Sequence, residues 1–167
     1  VVLGAGCAGS PYGHARLYAP TDDERAALEG TKAYEPTLAE RGAGRSGRVS
    51  LFGVVQSRSA GPGGRALLRL SVRSLERANL CARQTDVESC RVAVGDRELC
   101  TVWALVGLRD DDDVGGHAVG QRSLLRLVGT VGQDVSQADG APIIHASFYR
   151  HFPASEYVTP QTAGARP

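Results

Sequence analysis

The chain has no methionine, a single lysine (Lys32), one tryptophan and only 5% aromatic residues. It contains no apolar run of about 18 residues, so no stretch reads as a membrane-crossing helix. Neither sign of charge dominates: 19 Lys and Arg against 18 Asp and Glu give a formal net charge of +1. That balance supplies no bulk field to attract nucleic acid or an anionic membrane, and nucleic acid is not an expected partner. The near absence of lysine beside many arginines reads as codon composition rather than as selection for bidentate chemistry. A chain that opens on Val1 is expected to begin downstream of its translation start, or at an alternative start codon. What is present is 167 residues, 42% of them hydrophobic, with 21 glycines. The length fits one domain with an arm or tail. The glycine content favours turns and bent strands over long helices.

The four cysteines are Cys7, Cys81, Cys90 and Cys100. Cys81 and Cys90 bracket a polar loop between two strand-like runs, where a disulfide is expected. Closing such a loop contributes about 2–3 kcal/mol in the chain-entropy model and implies an oxidising compartment. The spacing is not that of a zinc site. No metal and no cofactor is expected.

The opening Val1-Val-Leu-Gly-Ala-Gly-Cys-Ala-Gly-Ser10 satisfies G-x-G-x-x-G at Gly4, Gly6 and Gly9. A dinucleotide site needs a helix to start there, and Pro11 and Gly13 break one within a turn. Small residues leading to Cys7 instead resemble a bacterial lipobox behind the end of a secretory signal. Gly4 stands three before Cys7, where leucine is common in that pattern, and Leu3 is one place further back. The resemblance implies that Cys7 carries acyl chains, with a lipid bilayer as partner and the cell envelope as location, outer membrane and periplasmic face. The alternatives are a flexible tail with an incidental cysteine, or Cys7 paired with Cys100.

Thr21 and Glu24 form a capping box, which predicts a thin surface helix from about Asp22 to Lys32. From Arg48 the hydrophobic period becomes two. Val49, Leu51 and Val55 mark a first strand. Ala66, Leu68, Leu70 and Val72 mark a second, with Arg69, Arg73 and Arg77 on its other face. Further strands are expected near 91–94, 100–108 and 119–131, and a last one ending at Phe152. In 119–131, Leu125, Leu127 and Val131 are expected to face a core, with Arg122 and Arg126 in water. In the last strand Ile144, Ala146 and Phe148 are expected inside, and His145 and Tyr149 outside. The expected organisation is a lipobox and tether over 1–20, a helical arm and linker over 21–45, a barrel over 46–153 and a flexible tail over 154–167. The class is all-β with one short N-terminal helix.

Val119-Gly120-Gln121, Gly129-Thr-Val131, Gly140-Ala-Pro-Ile-Ile144 and Ala146 resemble the closing strands of the OB-fold superfamily. The resemblance implies a five- to six-stranded Greek-key barrel, with its usual helix replaced by the acidic Asp110–Asp113 stretch. The whole then resembles a bacterial envelope lipoprotein carrying an OB domain. It implies a non-catalytic binding role toward a protein partner, glycan or small ligand. The alternative is a module binding nucleic acid or another polyanion through Arg69, Arg73 and Arg77, with Phe52 and Trp103 stacking.

Other motifs point to bland readings. A haem chaperone of the envelope carries His-x-x-x-Tyr, whereas His151 and Tyr157 are separated by five residues. His145 and His151 carry no metal-ligand spacing. Four consecutive aspartates do not repeat an EF-hand's alternation. Ser, His and Asp all occur, but no G-x-S-x-G frames them, and no enzyme activity is expected.

Overall fold

A computed structural model of the chain describes residues 14–34, 47–83 and 85–159. In order the elements are β1 (His14–Leu17), α1 (Asp22–Leu28), β2 (Lys32–Ala33), β3 (Gly47–Ala60), β4 (Ala66–Arg73), β5 (Ala78–Cys81) and β6 (Val92–Ala93). There follow β7 (Cys100–Val106), α2 (Asp110–Asp113), β8 (Leu124–Val135), β9 (Pro142–Phe152) and β10 (Tyr157–Val158). Five strands close a barrel in the order β3-β4-β7-β9-β8, with β8 pairing back to β3. Within the barrel every pairing is antiparallel except β7 with β9. That connectivity, with one short helix between the third and fourth barrel strands, is OB-like.

Alternation places one row of side chains inside. Val49, Leu51, Val55, Leu68, Leu70, Val72, Val102, Leu125, Leu127 and Ile144 share a single core. Gly129 lets β8 bend against β9. A Cβ there would lie 2.5 Å from the His145 carbonyl oxygen.

The outside of the barrel is not uniformly wet. A second layer covers part of it: β1 pairs with β5, β5 is bridged to the segment entering β6 through Leu80 and Arg91, and β10 pairs with β6. Phe52, Leu124, Val92, Val94 and Phe152 form a second buried cluster between the layers. β3 and β8 are therefore buried on both faces, which hides the two-residue period.

Five sequence-based expectations are corrected. Residues 14–17 are a strand rather than tether. α1 ends at Leu28, before Gly30 turns at φ +69°. Residues Tyr157–Val158 pair with β6 instead of fraying. On β9 a register shift between the pairs Phe148–Val128 and Ala146–Gly129 leaves Ser147 as an extra residue. It inverts the phase, so Tyr149 joins the core and Phe148 does not. Finally, Arg126 is not an outward residue without a partner: it lies between the layers, over the Phe52 ring and beside Glu24. Cys7 and the linker at 41–46 lie outside the described residues.

Candidate functional site

The proposed ligand face is only partly assembled. Arg69 and Trp103 are cross-strand partners on β4 and β7. Both bind Asp139, on the turn between β8 and β9: Arg69 Nε at 3.3 Å and Trp103 Nε1 at 2.9 Å. Hydrogen bonds from Trp103, the Ala141 backbone, Ser136 and Arg69 hold the Asp139 carboxyl below its usual range, Trp103 contributing most. Arg73 donates to the Asp96 carbonyl and to Ser71. Glu98, beside Ser71, Thr101 and Arg73, is likewise lowered, chiefly by its bond with Ser71. The arginines on this face are thus neutralised or bonded locally. Arg77 lies beyond the end of β4, exposed. Phe52 is 3% exposed and packs edge-on to Tyr18, so it cannot stack on a ligand. The face offers one half-buried tryptophan amid balanced charge, not an arginine groove.

A cleft of about 820 Å³ opens instead between the second layer and the barrel. Arg16, Leu17 and Tyr18 line one side, Val87, Glu88 and Arg91 another, and Arg150 and Phe152 its barrel side. Leu17 and Val87 are 80% and 63% exposed. Cys90 also lines the cleft, and its disulfide to Cys81 fixes the loop that carries Val87. Arg150 is held rigidly, stacked on Phe152 and bonded to Glu24 at 3.1 Å. A smaller hollow of about 470 Å³ lies between the β3–β4 turn and α2, lined by Arg58, Arg65 and Asp113.

The Glu24 carboxylate is fully buried. Thr21 caps α1 as expected, accepting from the Glu24 N–H at 3.2 Å. The Glu24 side chain turns inward, where it accepts from the Tyr18 hydroxyl and pairs with Arg126 and Arg150. Burial, and then the Glu24 carboxylate, push the Tyr18 phenol far above its usual range. This constellation docks the arm.

One constellation escaped the sequence. His151 Nδ1 lies 2.9 Å from Asp112 Oδ1, and His151 Nε2 lies 2.9 Å from Ser123 Oγ. Asp112 Oδ2 accepts from the Tyr149 hydroxyl at 2.8 Å and from Arg109 Nε at 2.8 Å. Burial alone would raise the Asp112 carboxyl. The bonds from Tyr149, His151 and Arg109 outweigh it and hold the group lowered. No local motif connects these residues, which come from α2, the turn before β8 and the end of β9. The phase inversion at Ser147 is what turns Tyr149 and His151 inward. His145 points elsewhere, to Asp134 at 3.0 Å. Asp110–Asp113 is a short helix whose Asp113 pairs with Arg58. Cys100 is free, with its thiol pushed up to about 11 by burial and by the nearby Glu98 charge. Among the described residues no group of three His, Cys, Asp or Glu side chains is placed to hold a metal.

No protein-family model matches the chain, and no curated protein matches it. Among solved structures it is similar to the Ifi202 HINa domain in complex with 20bp dsDNA. The match has 11% identity and a TM-score of 0.28 over 85% of this chain and 55% of that one. This chain therefore spans about half the length of that structure, and a likeness of this degree decides nothing about function.

Proposed function

We propose that the chain is a binding protein of the cell envelope, and that the cleft between its two layers takes a small amphipathic ligand bearing an acidic group. The cleft itself carries this reading. Its volume lies within the range of small-molecule sites, roughly 300–1,000 Å³. Its wall joins exposed apolar side chains, Leu17 and Val87, to Arg16, Arg91 and Arg150, against two acids, Glu88 and Glu156. Apolar groups give the ligand area, and the guanidinium groups, Arg150 while also bonded to Glu24, favour a carboxylate or sulfonate head. Dodecanoate titrated into the protein is expected to bind at one saturable site by calorimetry. A Leu17→Asp/Val87→Asp variant, altered only at exposed positions, is expected to lose at least tenfold in affinity. Absence of binding, or equal binding by the variant, overturns the reading.

The envelope location rests on Cys7 and the disulfide. An anchored protein in an oxidising compartment accounts for both the small residues before Cys7 and the Cys81–Cys90 bridge. Expression with the native upstream sequence, followed by intact mass measurement, is expected to show an acylated Cys7. An unmodified Cys7 within a longer mature chain refutes it.

A further inference from the structure

We propose that Ser123 is an acyl-accepting nucleophile, with His151 as its base and Asp112 as the carboxylate that orients the base, and that it takes small carboxylic esters. Serine, histidine and carboxylate in this order of hydrogen bonds are recognised by geometry and role rather than by sequence position. Both links are 2.9 Å.

The bonding fixes the direction of the relay. Asp112 is ionised and only accepts, so the proton between it and His151 resides on Nδ1. In the neutral ring Nε2 is then an acceptor, and the Ser123 hydroxyl donates to it. Tyr149 and Arg109 hold Asp112 from its other oxygen, which locks the ring's orientation. A second and independent observation lies one residue away. Arg122, at φ +71°, is the non-glycine residue with positive φ among those described. Backbone strain held in place by its surroundings clusters at functional sites.

In the reaction, a lone pair of Ser123 Oγ forms a bond to the ester carbonyl carbon while the hydroxyl proton moves to His151 Nε2. The tetrahedral adduct collapses, the carbon–alkoxy bond breaks, and the leaving alkoxide takes that proton away as an alcohol. Water then attacks the acyl-serine by the same route, releasing a carboxylic acid and restoring Ser123. Ester and water become acid and alcohol, and no oxidant or metal enters.

Access sets the substrate size. Ser123 is 5% exposed, and it lines neither hollow described above. Its cover is the exposed turn at Gln121 and Arg122, held by the Tyr157 hydroxyl donating to the Arg122 carbonyl at 2.9 Å, the Arg122 N–H donating to the Val55 carbonyl at 2.8 Å and the Ser123 N–H donating to the Gly120 carbonyl at 2.9 Å. Opening of that turn admits short acyl groups. One backbone donor, the Gly120 N–H, reaches Ser123 Oγ, at 3.1 Å. That bond holds the nucleophile and not the substrate's carbonyl oxygen, where the oxyanion develops, so covalent labelling is the better readout.

The test is reaction of the folded full chain with a short-chain alkyl fluorophosphonate, followed by peptide mass mapping. A phosphonyl adduct is expected on Ser123. Its rate of formation is expected to fall about 100-fold or more in His151→Gln, the scale of a lost general base. Tyr157→Phe, which removes one of the bonds that hold the turn, is expected to label faster. Near-UV circular dichroism establishes that each variant is folded. A folded wild-type chain without an adduct on Ser123, or equal labelling in His151→Gln, overturns the proposal. The constellation is then a structural tie for the barrel's end alone.

Discussion

At the scale of single residues, Asp112 ties separate elements together. It collects donors from Tyr149, His151 and Arg109 and thereby joins α2 to the end of β9. Its carboxyl is held below the usual carboxylate range. A depressed folded-state value contributes stability that is present above the unfolded value, near 4, and is lost as pH falls through the folded one. Exposed Glu98 and Asp139 shift in the same direction and add to the loss. Wild-type stability, measured by urea unfolding, is therefore expected to hold from neutrality to about pH 4 and to decline below it. Asp112→Asn is expected to cost about 1–3 kcal/mol at pH 7, because buried donors lose a charged acceptor. The gap between the two proteins is expected to narrow as pH drops below 4. A gap independent of pH refutes the assignment.

At the scale of elements, legibility followed burial on one face. β4 could be read directly: Ala66, Leu68, Leu70 and Val72 are buried on the core side, while Arg69 and Arg73 stand on the other. The disulfide was legible for a similar reason, since a polar loop between two apolar runs left its flanking cysteines adjacent. β8 was half legible. Leu125 and Leu127 are in the core as expected, but Leu124 and Val128 are buried too, against the second layer. Nothing in the strand's own pattern announces a covering layer made of two- and four-residue strands. β9 misled through one extra residue, because a bulge shifts every later side chain to the opposite face. Its register against β8 came from pairing across the sheet, which local periodicity does not contain. That single inversion also hid Tyr149 and His151, and with them the link to Ser123.

At the scale of the whole molecule, the question is what holds the arm to the barrel. α1 is seven residues long with only Glu24 buried, too short to be stable by itself. Its buried attachment is one carboxylate to Arg126 and Arg150, themselves stacked on Phe52 and Phe152, beside the pairing of β2 with β3 and a bond from Arg48 to the Glu29 carbonyl. The two layers share those phenylalanines, so polar and apolar contacts reinforce one docking. Burial depresses the Arg126 guanidinium, and the Glu24 charge works against that shift. Removing Glu24 leaves a half-buried cation with its partner gone. Breaking a buried pair in this way costs about 3–5 kcal/mol, and here the loss falls on the arm before it falls on the barrel. Glu24→Ala is therefore expected to expose the segment around Tyr18 and Arg25 to trypsin under conditions where the barrel core stays intact. Hydrogen exchange is expected to rise across β1, α1 and β5 while β4 and β7 remain protected. Because Arg16, Leu17 and Arg150 line the cleft, dodecanoate binding should weaken in the same variant. Uniform loss of protection through β4 and β7 would mean instead that arm and barrel form one cooperative unit, with Glu24 part of its common core.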